Sequence, residues 1–166
     1  MSKRILLICV IVTVGMLSGI AALSAQDALQ SQIDAIKAVL PKFAIPMREV
    51  GDRFQNMYFA AQGGNWGLAA YMSKYMNNSM NAASLTKPKE YPVWKNFYES
   101  DFAPVNSAIQ AQDFKAFTNA YDNVIRSCNA CHIVMGYGFI TVIKQKTPSD
   151  YGIDYTEPSK ATDVPK

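Results

Sequence analysis

Residues 113–132 read DFKAFTNAYDNVIRSCNACH, a stretch that joins a helix signal to a chemical motif. Asp113 is a residue type favoured at the N-cap of a helix. The apolar positions that follow have helical spacing, at Phe114, Phe117, Tyr121, Val124 and Cys128. The pattern predicts a helix whose buried face carries the Cys-Asn-Ala-Cys-His sequence of residues 128–132. Gly136 predicts the end of this helix soon after the motif.

The pentapeptide at residues 128–132 has the C-x-x-C-H spacing by which haem is attached in c-type cytochromes. Positions i, i+3 and i+4 share one face of a helix. Cys128 and Cys131 can therefore form thioethers with two vinyl groups, while His132 presents an imidazole nitrogen to the iron. His132 is the only histidine in the sequence. We predict one covalent haem c, held by Cys128 and Cys131, with His132 as the proximal iron ligand.

Other uses of a C-x-x-C pair are a thioredoxin-type redox pair, a zinc half-site and a plain disulfide. A structural zinc site takes about four ligands, and beyond Cys131 the sequence offers only His132. A thioredoxin-type motif belongs in a βαβ context, and no such pattern occurs in this sequence. These considerations favour haem attachment.

The first 25 residues resemble a secretory signal peptide. Lys3 and Arg4 precede an almost wholly apolar run from Ile5 to Leu23, and small residues favour cleavage after Ala25. An uncleaved anchor is the alternative, because the run approaches the length that spans a bilayer. Cleavage would remove Cys9 and predicts a periplasmic chain with no membrane span.

The charge of the mature chain is nearly balanced. Of 16 Lys and Arg residues, Lys3 and Arg4 would leave with the signal peptide, whereas all 13 Asp and Glu residues would remain. This balance offers no basic stripe, so the expected partners exclude nucleic acid. The mature length fits a single domain.

Helical periodicity extends through most of the chain. A short first segment ends at Pro41, a second helix is predicted from Pro46 to Gly63, a third follows a predicted N-cap at Asn65, and a fourth begins near Val93. Pro104 should kink or divide the fourth. With the motif helix, four amphipathic helices and short connections predict an all-α, antiparallel four-helix bundle. We assign residues 26–146 to this bundle, with haem on its last helix, and 147–166 to an irregular C-terminal tail.

Motif position distinguishes this sequence from small class I cytochromes c, whose motif lies near the N-terminus. A late C-x-x-C-H on the last helix of a bundle resembles the cytochrome c′ family and its low-spin, Met-ligated relatives. The segment 64–69, GNWGLA, also resembles a recurring stretch in one branch of these bundle cytochromes. The resemblance implies haem binding by Cys128, Cys131 and His132. The sequence departs from the family after the motif, because it continues through Gly136 to Ile140 and a further tail.

With His132 as the proximal ligand, no second histidine remains for the sixth coordination position of the iron. The identity of the sixth ligand decides the function. Met47, near the start of the first long helix, lies at the depth of the family's distal residue and is the first choice. Met57 is the second choice, and Lys or Tyr are weaker alternatives. A vacant site lined by apolar side chains is the other alternative. Arg53 is either a propionate partner, since its guanidinium suits carboxylates, or a plain surface arginine.

Two functions follow from these alternatives. A Met-ligated iron predicts an electron carrier between periplasmic redox proteins. A vacant site predicts a five-coordinate, cytochrome c′-like protein that binds NO or CO. We expect no enzymatic activity, since a distal His-Arg pair of the peroxidase kind needs a second histidine. A homodimer or a hetero-oligomer is compatible with the sequence.

Overall fold

The computed structural model of the chain describes residues 22–164, which divide into two compact units between Leu40 and Pro41. Residues 1–21 of the predicted signal peptide, including Cys9, lie outside the described residues. The described part of the first unit is a helix, α1, over residues 22–39. Its apolar side chains at Leu29, Ile33 and Ile36 are exposed. None of the described helices is both long enough and apolar enough to cross a membrane.

The second unit begins with two helices joined by a tight turn. Helix α2 spans Ala44–Gly63, and helix α3 spans Trp66–Ser79. Gly64 adopts a left-handed conformation with φ of 84° that ends α2. The predicted N-cap at Asn65 is confirmed, because its side chain accepts a hydrogen bond of 3.0 Å from the Leu68 N–H. Helix α2 begins earlier than predicted, so that Pro46 lies within its first turn, where no backbone donor is required.

Three short helices follow, where the sequence predicted one that is kinked or divided at Pro104. They are α4 at Ala83–Thr86, α5 at Tyr91–Glu99 and α6 at Ala103–Ala111. The division is confirmed, and Pro104 lies in the first turn of α6. Helix α3 ends at Ser79, and Ala83, which begins α4, is buried.

Helix α7 spans Phe114–Val134 and carries the C-x-x-C-H motif near its C-terminal end. The side chain of Asp113 accepts a hydrogen bond of 2.9 Å from the Ala116 N–H, which confirms the predicted N-cap. Gly136, with φ of 82°, provides the left-handed conformation that turns the chain away from the helix.

The all-α prediction is confirmed for the described residues, which contain helices and no β-strand. Helix α2 packs on α3 and α7, and α6 also packs on α3 and α7. Aromatic rings from these helices fill the core. The Phe54 ring stacks on Tyr121 with centroids 4.0 Å apart, and Tyr58 contacts Phe117 at 6.3 Å. Higher residue numbers in α2 pair with lower residue numbers in α7, so the two helices are antiparallel.

Residues 136–164, which we call the C-terminal strap, contain little regular structure but are bound to the helices. The only helical turn described within the strap is a 3-10 helix at Ala161–Asp163. Asn56 accepts hydrogen bonds from the Ser149 N–H and hydroxyl at 3.0 and 3.1 Å. Ser159 donates to Asn65 and accepts from the Gly67 N–H. The segment expected as an irregular tail is thus packed along the helices.

Candidate haem-attachment site

Cys128, Cys131 and His132 lie together in the last turns of α7, and all three are half-buried. Both cysteines are free thiols, so the pair does not form a disulfide. Their spacing of three residues places both sulfurs on one side of the helix. Cys128 also continues the buried face defined by Tyr121 and Val124. The pair therefore lies at the edge of the hydrophobic core.

The raised pKa values of the two thiols argue against a thioredoxin-type redox pair. Burial, with smaller contributions from Cys131 and Asp101, raises the pKa of the Cys128 thiol to about 12. Burial also raises the pKa of Cys131. Nucleophilic redox cysteines instead have lowered pKa values, commonly at a helix N-terminus. Here the thiols lie near a helix C-terminus, where the helix dipole disfavours a thiolate.

The imidazole of His132 is oriented by a backbone carbonyl from the strap. Its Nδ1 lies 2.7 Å from the carbonyl oxygen of Ile140. Because a carbonyl can only accept, Nδ1 carries a proton and donates it, and in the neutral ring Nε2 then keeps its lone pair. Metal-bound histidines characteristically donate their other ring N–H to a carbonyl or carboxylate in this way. The imidazole is therefore in the tautomer that an Nε2 iron ligand requires.

Met47 and Met57, the two predicted distal ligands, lie at different distances from the motif along the helix axis. The stacked pair Phe54 and Tyr121 sets the level between α2 and α7. Met47 is seven residues before Phe54, and Cys128 is seven after Tyr121, so these two lie at a similar level. Met57 is ten residues farther along α2, or about 15 Å at 1.5 Å per residue. Met47 is half-buried, whereas Met57 is fully buried in the core. Of the two, Met47 is the one at the level of the motif along the helix axis.

Arg53, the predicted propionate partner, already has neighbours of its own. Its Nε donates to a Glu49 carboxylate oxygen at 2.6 Å, and its Nη2 lies 2.5 Å from the same oxygen. The guanidinium carbon also lies 5.7 and 5.8 Å from the ring centroids of Tyr71 and Tyr75 on α3. The structure therefore brings Arg53 together with α3 and Glu49 rather than with the motif.

Sequence reasoning missed two residues that surround His132. Ile140 supplies the carbonyl acceptor, and Asn129, inside the motif, binds the backbone of Val142 through two hydrogen bonds. No periodic signal predicts either contact, because residues 136–143 have no regular structure. The position of Asn129 in the motif also gave no indication, since the two intervening positions of C-x-x-C-H carry no fixed chemistry.

Clefts elsewhere in the molecule are not lined by the motif. A cavity of about 280 Å³ lies between α3, α5 and α6, with polar lining residues that include Ser73, Asn77 and Asn106. A shallower groove of about 560 Å³ follows α6 and α7 among small side chains. Within residues 22–164, no group of three or more His, Cys, Asp or Glu side chains is arranged to hold a metal ion by itself.

The donor set at the end of α7 fits a covalently held haem. Two free thiols share a helix face with an imidazole whose Nε2 lone pair is available. Apolar side chains near the motif would suit an apolar macrocycle. Ile133 is 68% exposed and Phe139 is 82% exposed, so this surface is not covered by the described chain.

The chain matches no protein-family model, and comparison with curated proteins and with solved structures finds no significant match.

Proposed function

We propose that this chain is a monohaem c-type cytochrome that carries electrons between redox proteins. The observation that carries the proposal is the state of His132 beside two free cysteines. Its Nδ1 is engaged by the Ile140 carbonyl at 2.7 Å, so that Nε2 is left as the ligand atom. Cys128 and Cys131 would each add a thiol across a vinyl group. In each addition a C–S bond forms, and the thiol hydrogen passes to the other vinyl carbon.

The arrangement of the helices supports a four-helix-bundle cytochrome of the cytochrome c′ kind. Helices α2, α3, α6 and α7 form a closed ring of neighbours, since α2 and α6 each pack on both α3 and α7. Helices α2 and α7 are antiparallel, as the Phe54–Tyr121 and Tyr58–Phe117 contacts require. In such a bundle, cofactor ligands project from facing helices. His132 on α7 and Met47 on α2 suit this arrangement.

A sixth ligand from Met47 favours electron transfer over gas binding. A bound haem would supply an iron that takes up and releases one electron, and a thioether ligand raises the reduction potential of that iron. Met47 is half-buried and lies level with Cys128 along the helix axis, which makes it the methionine of α2 best placed to reach the site. Val134, which is exposed, would leave apolar surface beside the motif for a redox partner. We further propose export to the periplasm, where haem is attached to such chains.

Covalent attachment is tested with four forms of the chain expressed through the export pathway together with the haem-attachment machinery. These are wild type, the double variant C128A/C131A, H132A, and S127A as a control beside the motif. We expect acid–acetone to extract haem from the double variant and from neither wild type nor S127A. Haem that is extractable from wild type would overturn the proposal.

The state of the iron is tested by optical and electron paramagnetic resonance spectra with and without NO. We expect a low-spin ferric spectrum with a Met-to-iron charge-transfer band, no NO complex, and loss of the proximal ligand signature in H132A. A high-spin spectrum that changes at once with NO would replace electron transfer by gas binding as the function.

A further inference from the structure

Asn129, the second residue of the motif, holds the strap through a pair of hydrogen bonds to a single residue. Its Nδ2 donates to the Val142 carbonyl at 3.0 Å, and its Oδ1 accepts from the Val142 N–H at 2.7 Å. A side-chain amide used in this way replaces a backbone partner, and both bonds have good lengths. Asn129 is half-buried, which limits competition from water.

The residue held in this way lies two positions after the acceptor of His132. The Ile140 carbonyl lies 2.7 Å from His132 Nδ1, and the Ile140 N–H donates to the Tyr137 carbonyl at 2.8 Å. The Tyr137 N–H donates in turn to the His132 carbonyl at 2.6 Å. The chain from His132 to Val142 is therefore a closed loop, fixed at its far end by Asn129.

The bond from His132 to Ile140 needs such an anchor because it lies at the surface. Ile140 is 48% exposed, so water can compete for both the N–H and the carbonyl. Lys144 secures the strap further along, through an ion pair of 2.7 Å with Asp122. That contact lies beyond Val142 and does not fix the direction of the Ile140 carbonyl. Asn129 is the side chain that restrains this carbonyl nearest to the imidazole.

We propose that Asn129 is a positioning residue for the axial histidine, acting through the Val142 backbone and the Ile140 carbonyl. This inference rests on the proposed function. A carbonyl that accepts from Nδ1–H increases the basicity of the ligand nitrogen, which stabilises ferric over ferrous iron. Releasing the carbonyl weakens the ligand and raises the reduction potential. The sequence motif thus supplies both the ligand and the anchor of the ligand's hydrogen-bond partner.

The test compares the holoproteins of wild type, N129A, N129S and N123A. Asn123 lies on an exposed part of the same helix, bonded to Arg126, and serves as the control. We expect N129A to shift the ferric-to-ferrous equilibrium roughly three- to tenfold toward ferrous, or about 30 to 59 mV for one electron. N129S is also uncharged, and its shorter side chain cannot pair with both Val142 groups, so it should shift in the same direction as N129A. N123A should not shift.

Amide hydrogen exchange provides the second readout. In N129A the Val142 N–H should exchange faster with solvent, and so should the His132 Nδ1 proton. Faster Val142 exchange with an unchanged potential would overturn the proposal, as would an equal shift in N123A. If N129A does not fold, the potential of N129S decides, and a wild-type value there overturns the proposal. Haem that is extractable from wild type would instead refute the proposed function, so the two failures are distinct.

Discussion

Gly63, the last residue of α2, lies directly against the backbone carbonyl of Tyr155 in the strap. A Cβ atom at position 63 would collide with both the oxygen and the carbon of this carbonyl group. Gly67 is similarly restricted, because a Cβ there would lie 2.7 Å from the Ser159 hydroxyl. The glycines that flank the α2–α3 turn therefore allow the strap to approach the helices closely.

Replacing Gly63 by Ala should detach this part of the strap and destabilise the protein. Gly51, in the middle of the same helix, is the matched control, because a Cβ there meets no atom within 4 Å. We expect G51A to stabilise the chain by about 0.5–1 kcal/mol, since alanine favours helix, and G63A to destabilise it. The measurements are urea denaturation and limited proteolysis of the strap. Equal behaviour of the two variants would contradict the close approach at Gly63.

Asn65 joins the cap of α3 to the strap, so its removal should cost more than an ordinary cap. Its Oδ1 accepts from the Leu68 N–H at 3.0 Å, and its Nδ2 donates to the Asp154 carbonyl at 3.1 Å. We expect N65A to lose about 2–4 kcal/mol, from the cap and from buried groups left unpaired. D113A removes only the α7 cap and should lose about 1 kcal/mol. Equal losses in the free energy of unfolding of N65A and D113A, measured by chemical denaturation, would show that the strap contact contributes nothing.

The helix limits around these caps were predictable from sequence because their signals are local. Asn65, Asp113 and Gly64 act on residues within one turn, and their chemistry is visible in a short window. The strap was not predictable, because its contacts join backbone groups to side chains about 90 positions away. The neighbour of Arg53 could have been predicted, since Glu49 precedes it by four residues, a favourable helical ion-pair spacing.

Met47 and Met57 should respond differently to truncation. Because Met57 is fully buried, M57A should cost about 2–5 kcal/mol of stability and leave the iron spectrum unchanged. M47A should change the ferric spectrum from low-spin toward high-spin and allow NO to bind, with a smaller loss of stability because Met47 is only half-buried. Optical spectra and urea denaturation on the same samples separate the two effects. A low-spin spectrum retained in M47A would exclude Met47 as the distal ligand.

Tyr121 should make the protein lose stability as the pH rises above 10. Burial, with smaller effects from Cys128, Tyr58 and Asp122, raises the pKa of its hydroxyl well above the ordinary value of 10.0. Above pH 10 the unfolded chain releases this proton while the native chain keeps it, so unfolding becomes more favourable as pH rises. The free energy of unfolding should fall by up to about 1.36 kcal/mol per pH unit from this one group. Below pH 10 both states keep the proton, and the group adds no pH dependence.

The Y121F variant isolates this effect, because phenylalanine preserves the ring that stacks on Phe54 at 4.0 Å. Denaturation curves from pH 8 to 11 should show a shallower decline in Y121F than in wild type. The difference between them should begin near pH 10 and grow with pH. Tyr155, whose pKa is raised to about 12, adds to the decline in both proteins and cancels in the comparison. Parallel declines in the two proteins would mean that the Tyr121 hydroxyl ionises as readily in the native chain as in the unfolded one.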